Sequence, residues 1–80
     1  MSIYIDFDTI EQELVNYFSD FFDTMRFALS PRKDGLTMTG FRDGKQYQYT
    51  FGQQEFDYEY NTSRLHHYLE NVKGSWHIKY

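Results

Sequence analysis

The dipeptide Asp43-Gly44 constrains the fold of this chain more than any other feature. Asp-Gly between strand-like runs is a two-residue type I′ hairpin turn, because both central positions need a positive φ that few residue pairs tolerate. Such a turn fixes the register of both strands. Arg42 then faces Lys45, Gly40 faces Tyr47, Met38 faces Tyr49 and Leu36 faces Phe51. These pairs place the apolar and aromatic residues on one face, while Thr37, Thr39, Gln46, Gln48 and Thr50 share the other. Turn chemistry and side-chain pattern agree, as they should when a pairing is read in its true register. Phe41 is the apolar exception on the polar face.

Helical spacing precedes the hairpin. From Thr9 to about Ala28, apolar residues fall at Ile10, Leu14, Tyr17, Phe18, Phe21, Phe22, Met25 and Leu29. Steps of three and four draw one stripe on a helix, with Gln12, Glu13, Asn16, Asp20 and Asp23 opposite it. Asp8, with Glu11 three residues on, reads as the N-cap of that helix. Ser30-Pro31 ends it, since a residue before proline avoids the α region. Ile3, Tyr4, Ile5 and Phe7 form a short lead-in with the character of an edge strand.

After the hairpin, Gly52-Gln53-Gln54 reads as a second turn. Glu55 to Tyr60 then alternates acid and aromatic, the period of a β-strand. On a strand, Phe56, Tyr58 and Tyr60 line one face, and Glu55, Asp57 and Glu59 form a carboxylate row roughly 7 Å apart on the other. Asn61 or Thr62 caps a second helix through about Val72, with Leu65, Tyr68, Leu69 and Val72 inward and Gly74 as the C′ residue. Ser75 to Tyr80 alternates again, with Trp76, Ile78 and Tyr80 on one side. The expected fold is α+β over residues 1–80 as a single compact domain. It comprises an N-terminal helix, a three-stranded antiparallel meander, a second helix and a short C-terminal strand. The first helix packs on the sheet face of Leu36, Met38, Tyr47, Tyr49, Phe51, Phe56, Tyr58 and Tyr60.

Composition explains how so short a chain could build a core. It has 80 residues and no cysteine, so no disulfide supports the fold. Eight Phe and eight Tyr compensate, each ring burying about 150–250 Å². On this reading, Phe21→Ala or Tyr49→Ala costs about 3–5 kcal/mol. A formal charge of −4 argues against a protein that binds phosphate backbones directly, which requires a basic footprint. No apolar run approaches the ~20 residues of a membrane span, and the N-terminal residues lack the pattern of a secretory signal. The expectation is a cytoplasmic chain with no membrane partner and no direct nucleic-acid contact.

Signals for chemistry are sparse. His66 and His67 are adjacent, so on a helix they point about 100° apart and cannot share one ion without distortion. His77 would have to converge from another element. No Gly-rich phosphate loop or nucleophile elbow is present. The alternating acids fall on solvent-facing positions rather than in a cleft. The chain therefore reads as no enzyme, with no catalytic residue, no metal and no cofactor.

What remains is an acidic surface. Glu55, Asp57 and Glu59 form one row, and Glu13, Asp20 and Asp23 another on the first helix, with Tyr58 and Tyr60 beside the first. Rows of carboxylates can take the place of DNA phosphates. The helix, three strands, helix order resembles the double-stranded RNA-binding domain in topology. The turn before the second helix, Asn61 to His67, carries a single arginine, Arg64, and this removes the RNA function.

The small, acidic, Cys-free, aromatic-rich frame is similar to phage-encoded inhibitors, among them type II anti-CRISPR proteins that combine helices with a three-stranded sheet. The resemblance covers Asp8 to Val72 and the acidic surface. It implies a stoichiometric inhibitor acting in the host cytoplasm. Its partner would be a basic nucleic-acid-binding protein such as a CRISPR effector nuclease. The residues engaged would be Glu55, Asp57, Glu59, Glu13, Asp20, Asp23, Tyr58 and Tyr60. The alternative is a non-catalytic self-assembly module with a Tyr/Phe-rich homodimer interface, for which Phe41 and Tyr4 are the candidate anchors.

Overall fold

Asp43 and Gly44 adopt φ angles of 52° and 77°, the pair of left-handed residues that a type I′ turn requires. They lie in a computed structural model that describes residues 5–76. The element order is α1 (Phe7–Phe18), β1 (Thr24–Leu29), β2 (Gly35–Arg42), β3 (Lys45–Gly52), α2 (Gln53–Asn61) and α3 (Leu65–Ser75). The strands form one antiparallel sheet in the order β1-β2-β3. The hairpin register is the expected one, from Arg42 opposite Lys45 to Leu36 opposite Phe51. The α+β class and the three-stranded antiparallel sheet hold. Its membership differs.

The first expected helix is half helix and half strand. α1 stops at Phe18, and the chain turns through Ser19 and Asp20, with Phe21 and Phe22 amides both donating to the Phe18 carbonyl. Ser and Asp compete with the helix through their own side chains. Thr24 to Leu29 then pairs with β2, Phe27 opposite Met38 and Leu29 opposite Leu36. Met25 and Leu29 fit a helical stripe. They match a period of two equally well, and Phe27, which fits no helical stripe, completes it. The N-cap is Asp6 rather than Asp8, its Oδ1 accepting the Thr9 amide at 2.8 Å. The Thr9 hydroxyl and amide hold the Asp6 carboxyl below the ordinary aspartate range.

Glu55 to Tyr60 is not a strand. It lies within α2, which buries Phe56 alone and leaves Tyr58 and Tyr60 at 60% and 42% exposure. Gln53, Gln54 and Glu55 are good helix formers, and the single buried ring of Phe56 anchors α2 by packing on Phe51 of β3 and Tyr68 of α3. Asn61 and Thr62, expected to open a helix, instead close this one: Asn61 Nδ2 donates to the Asp57 carbonyl and Thr62 Oγ1 to that of Tyr58. Ser63 takes a left-handed φ of 61°, and α3 starts at Leu65 with Arg64 at its N-cap. Of its expected inner stripe, Tyr68, Leu69 and Val72 are buried and Leu65 is half-buried. Gly74 is inside α3 rather than beyond it, and Trp76 is the C-cap. Ser75 is also helical, so a strand cannot begin there; residues 77–80 lie outside the described residues, as do Ile3 and Tyr4. Ile5 precedes α1 and Phe7 opens it, so neither is in an edge strand.

The core lies between the inner sheet face and the helices. Two aromatic groups occupy its ends. At the hairpin end, Phe18, Phe22, Tyr47 and Trp76 pack with ring centroids 5.4–6.1 Å apart. At the other, Phe51, Phe56 and Tyr68 meet edge to face at 5.9–6.3 Å. Ile10, Leu14, Met38 and Leu69 fill the space between them and are almost fully buried. The outer sheet face is uncovered and polar: the Thr37 and Thr50 hydroxyls lie 2.9 Å apart, and Gln48 Nε2 donates to Thr39 Oγ1. Phe41 is half-buried there beneath the Arg26 guanidinium, 5.7 Å from its ring centroid.

Among the described residues, Tyr68 carries the one buried side-chain polar atom that lacks a hydrogen-bond partner. Its hydroxyl is fully enclosed within the core. Burial, with Glu55 and Tyr49 nearby, drives its pKa far above the ordinary value of 10.0. The folded chain therefore keeps this proton after the unfolded chain has released it. Stability should fall as pH rises beyond the unfolded value of 10.0, by about 1.4 kcal/mol per pH unit. Tyr68→Phe should lose that component and cost little at neutral pH, because it removes an unsatisfied hydroxyl. Urea midpoints from neutral to strongly alkaline pH check this. An equally steep alkaline decline in the variant would assign it to other groups.

Candidate partner-binding surface

The acids do not form rows. In α2, Glu55 and Glu59 are one turn apart and share a face with Tyr58, whereas Asp57 points to the opposite side, as a 100° step per residue dictates. Asp57 is spent on the fold: its Oδ1 accepts the Ile5 amide at 2.8 Å, while Gln53 Nε2 donates to the Ile5 carbonyl at 2.9 Å. This pair ties the segment before α1 onto α2. Asp23 is similarly occupied, its Oδ2 accepting the Asp43 amide at 3.2 Å. Asp20 is exposed in the turn after α1. Tyr60 lies over a different part of α2 from Tyr58.

Two of the candidate acids lie in concave settings: Glu55 lines a polar hollow of about 380 Å³ with Asp34, Gly52, Gln53 and Gln54, and Glu13 rims a more apolar one. α1 and α3 meet along a seam, and a cleft of about 260 Å³ opens there between Glu13, Asn16, Tyr17, Leu65, His66 and Leu69. Leu65 and Leu69 give it an apolar floor, since both belong to the inner stripe of α3. Glu13 and Asn16 stand on its rim because they fall beside the buried positions Leu14 and Phe18 on α1. The Tyr17 ring meets His66 edge to face at 5.5 Å. A carboxylate, an amide, an aromatic ring and an aliphatic floor thus converge on one small volume. It is smaller than the ~300–1,000 Å³ of a typical small-molecule site. A single long side chain matches it better than a whole cofactor does.

Sequence reasoning singled out Glu13 but not its neighbours. Asn16 and Tyr17 are visible as flanks of the α1 stripe; Leu65 and His66 come from a helix some fifty residues away. Only tertiary packing brings the two sets together. His66 and His67 are both exposed, and His77 lies outside the described residues. Among the described residues, no group of three His, Asp or Glu side chains could hold a metal ion. No described helix is long and apolar enough to cross a membrane.

Next to Phe21, two cations share one ring. The Arg42 guanidinium lies 4.5 Å and the Lys73 ammonium 4.7 Å from its centroid. Arg42 also donates to the Phe21 carbonyl at 2.8 Å, and Lys73 pairs with Glu70 at 3.6 Å. Cations held on aromatic faces are attracted by the ring quadrupole. They fasten the turn after α1 to the hairpin and to α3.

Comparison of the chain with protein-family models, with curated proteins and with solved structures gives no match.

Proposed function

We propose that the protein is a stoichiometric, non-catalytic inhibitor that binds a basic nucleic-acid-binding protein and blocks its nucleic-acid groove. A nuclease of host defence is the partner class, and the host cytoplasm the place of action. The observation that carries this reading is the α1–α3 cleft with Glu13 on its rim. An arginine or lysine from the partner would lay its aliphatic stem on Leu65 and Leu69 and present its charge to Glu13. Asn16 would accept a further hydrogen bond and the Tyr17 ring would add cation–π attraction. Glu55 and Tyr58, exposed on one face of α2, with the half-buried Glu59 beside them, provide a second acidic and aromatic contact. Asp57 and Asp23 take no part, because their carboxylates are already bonded to backbone amides.

The test begins with capture of a basic nucleic-acid-binding protein and measurement of its affinity against salt. A charge-assisted hydrogen bond contributes about 1.5–3 kcal/mol, so Glu13→Gln should weaken the complex by about 10- to 100-fold. Glu55→Gln with Glu59→Gln should have a smaller effect and flatten the salt dependence. Added duplex DNA should compete with the inhibitor for the partner. Equal affinity of wild type and Glu13→Gln would remove the cleft from the interface, and failure of DNA to compete would remove the groove.

A further inference from the structure

We propose that β1 is the seam of a symmetric homodimer in which two copies pair their β1 strands antiparallel about Phe27, joining two sheets into one. This goes beyond the cleft and holds whatever partner the cleft takes. β1 stands at the edge of the sheet. The Ser30 amide donates to the Gly35 carbonyl at 2.9 Å, which sets the phase of the ladder. Thr24, Arg26 and Ala28 therefore direct their backbone groups towards β2, and Met25, Phe27 and Leu29 direct theirs outwards. These outward N–H and C=O groups have no partner among the described residues. The same three residues carry the inner-face side chains, and they are incompletely covered. Met25 and Phe27 are half-buried, and Leu29 is 50% exposed.

The edge carries one charge, Arg26, which lies on the outer face over the Phe41 ring. The strand Thr24–Leu29 contains no proline and no inward-pointing charge, the usual safeguards of an open edge. A second copy of the same strand is the occupant that fits. Centred on Phe27, the pairing sets Met25 against Leu29 of the second copy and Phe27 against its counterpart on the apolar side. On the polar side, Arg26 meets Ala28 of the second copy and Thr24 meets Ser30. Each outward backbone group is satisfied and no like charges stand opposite each other. Other centres fail. A centre at Leu29 sets Pro31, which has no N–H, against Phe27, and one at Met25 runs off the strand into the Phe21 turn. A centre at Arg26 opposes the two guanidinium groups and does not use the outward groups. The result is an isologous, two-fold contact built by strand addition.

Sedimentation equilibrium of the whole chain through the micromolar range should show a monomer–dimer equilibrium. Ala28→Arg places like charges opposite each other twice across the seam and should raise the dissociation constant about tenfold or more. Adding Arg26→Glu to that variant converts both repulsions to attractions and should restore dimerisation. Both residues are exposed, and unchanged far-ultraviolet circular dichroism will confirm that the variants fold. Hydrogen exchange should protect the amides of Met25, Phe27 and Leu29 only at concentrations that populate the dimer. A strict monomer throughout the range would overturn the proposal. So would a dimer indifferent to Ala28→Arg, or protection of the three amides that persists on dilution to monomer.

Discussion

Phe18→Ala should cost about 3–5 kcal/mol, a large part of the roughly 5–15 kcal/mol that holds a domain folded. Phe18 is fully buried at the end of α1. Its ring meets Tyr17 at 4.7 Å, Phe22 at 5.4 Å and Trp76 at 5.9 Å. Those neighbours come from α1, the following turn and the end of α3, so the cavity left by truncation has walls on three sides that cannot collapse together. Phe21→Ala, by contrast, should cost less than its sequence position suggests, because that ring is half-buried between two cations. Tyr49 is half-buried as well. Urea denaturation followed by circular dichroism will rank the three. A loss at Phe18 below that at Phe21 would mean that the hairpin-end cluster is not the centre of the core.

Gly40→Val should also be damaging, for the opposite reason. A Cβ at Gly40 would lie 2.6 Å from two atoms of the Phe22 ring and 2.7 Å from a third. Phe22 is 4% exposed and packed against Phe18, Tyr47 and Trp76, so any shift of its ring must displace these neighbours. Overpacking of this kind costs about 1–3 kcal/mol and sometimes more. Glycine inside a strand often marks such a close approach. Gly40→Ala should be strongly destabilising alone and much less so in a Phe22→Leu background, a coupling that a double-mutant cycle measures directly. Additive losses would place the cost in strand conformation rather than in the ring.

The parts of the fold legible in the sequence are those where local chemistry leaves one solution. Asp43-Gly44 demands a particular turn, and the two strands around it agree residue by residue. Tyr68, Leu69 and Val72 sit one helical turn apart or side by side, and no strand could bury them together. Legibility failed where two periods fit the same residues. Phe21, Phe22, Met25 and Leu29 satisfy steps of three and four, and Met25 and Leu29 also satisfy steps of two. Phe27 and the β-branched Thr24 favoured the strand, and Ser19-Asp20 marked the stop. The alternation from Glu55 to Tyr60 misled because tyrosine tolerates water: the pattern requires a strand only if all three aromatics must be buried, and Phe56 alone is. Part of the candidate site followed the same logic. Glu13 was visible as an acid beside an apolar stripe, but the cleft it rims exists only because α3 packs against α1.

The order of the strands in the sheet is also their order along the chain. The links between them are short, two residues between β2 and β3 and a loop from Ser30 to Asp34 between β1 and β2. That loop closes on itself, with the Lys33 amide donating to the Ser30 carbonyl and the Ser30 hydroxyl bonded to Asp34 Oδ1. Each strand therefore finds its neighbour without waiting for a distant segment to arrive. Chains built from such near-neighbour pairings cross a small entropic barrier and fold quickly. The hairpin at Asp43-Gly44 closes the shortest loop in the sheet, two residues, and so carries the smallest closure cost. A rapid search suits a chain whose Phe- and Tyr-rich interior would otherwise spend its unfolded lifetime open to association with other chains.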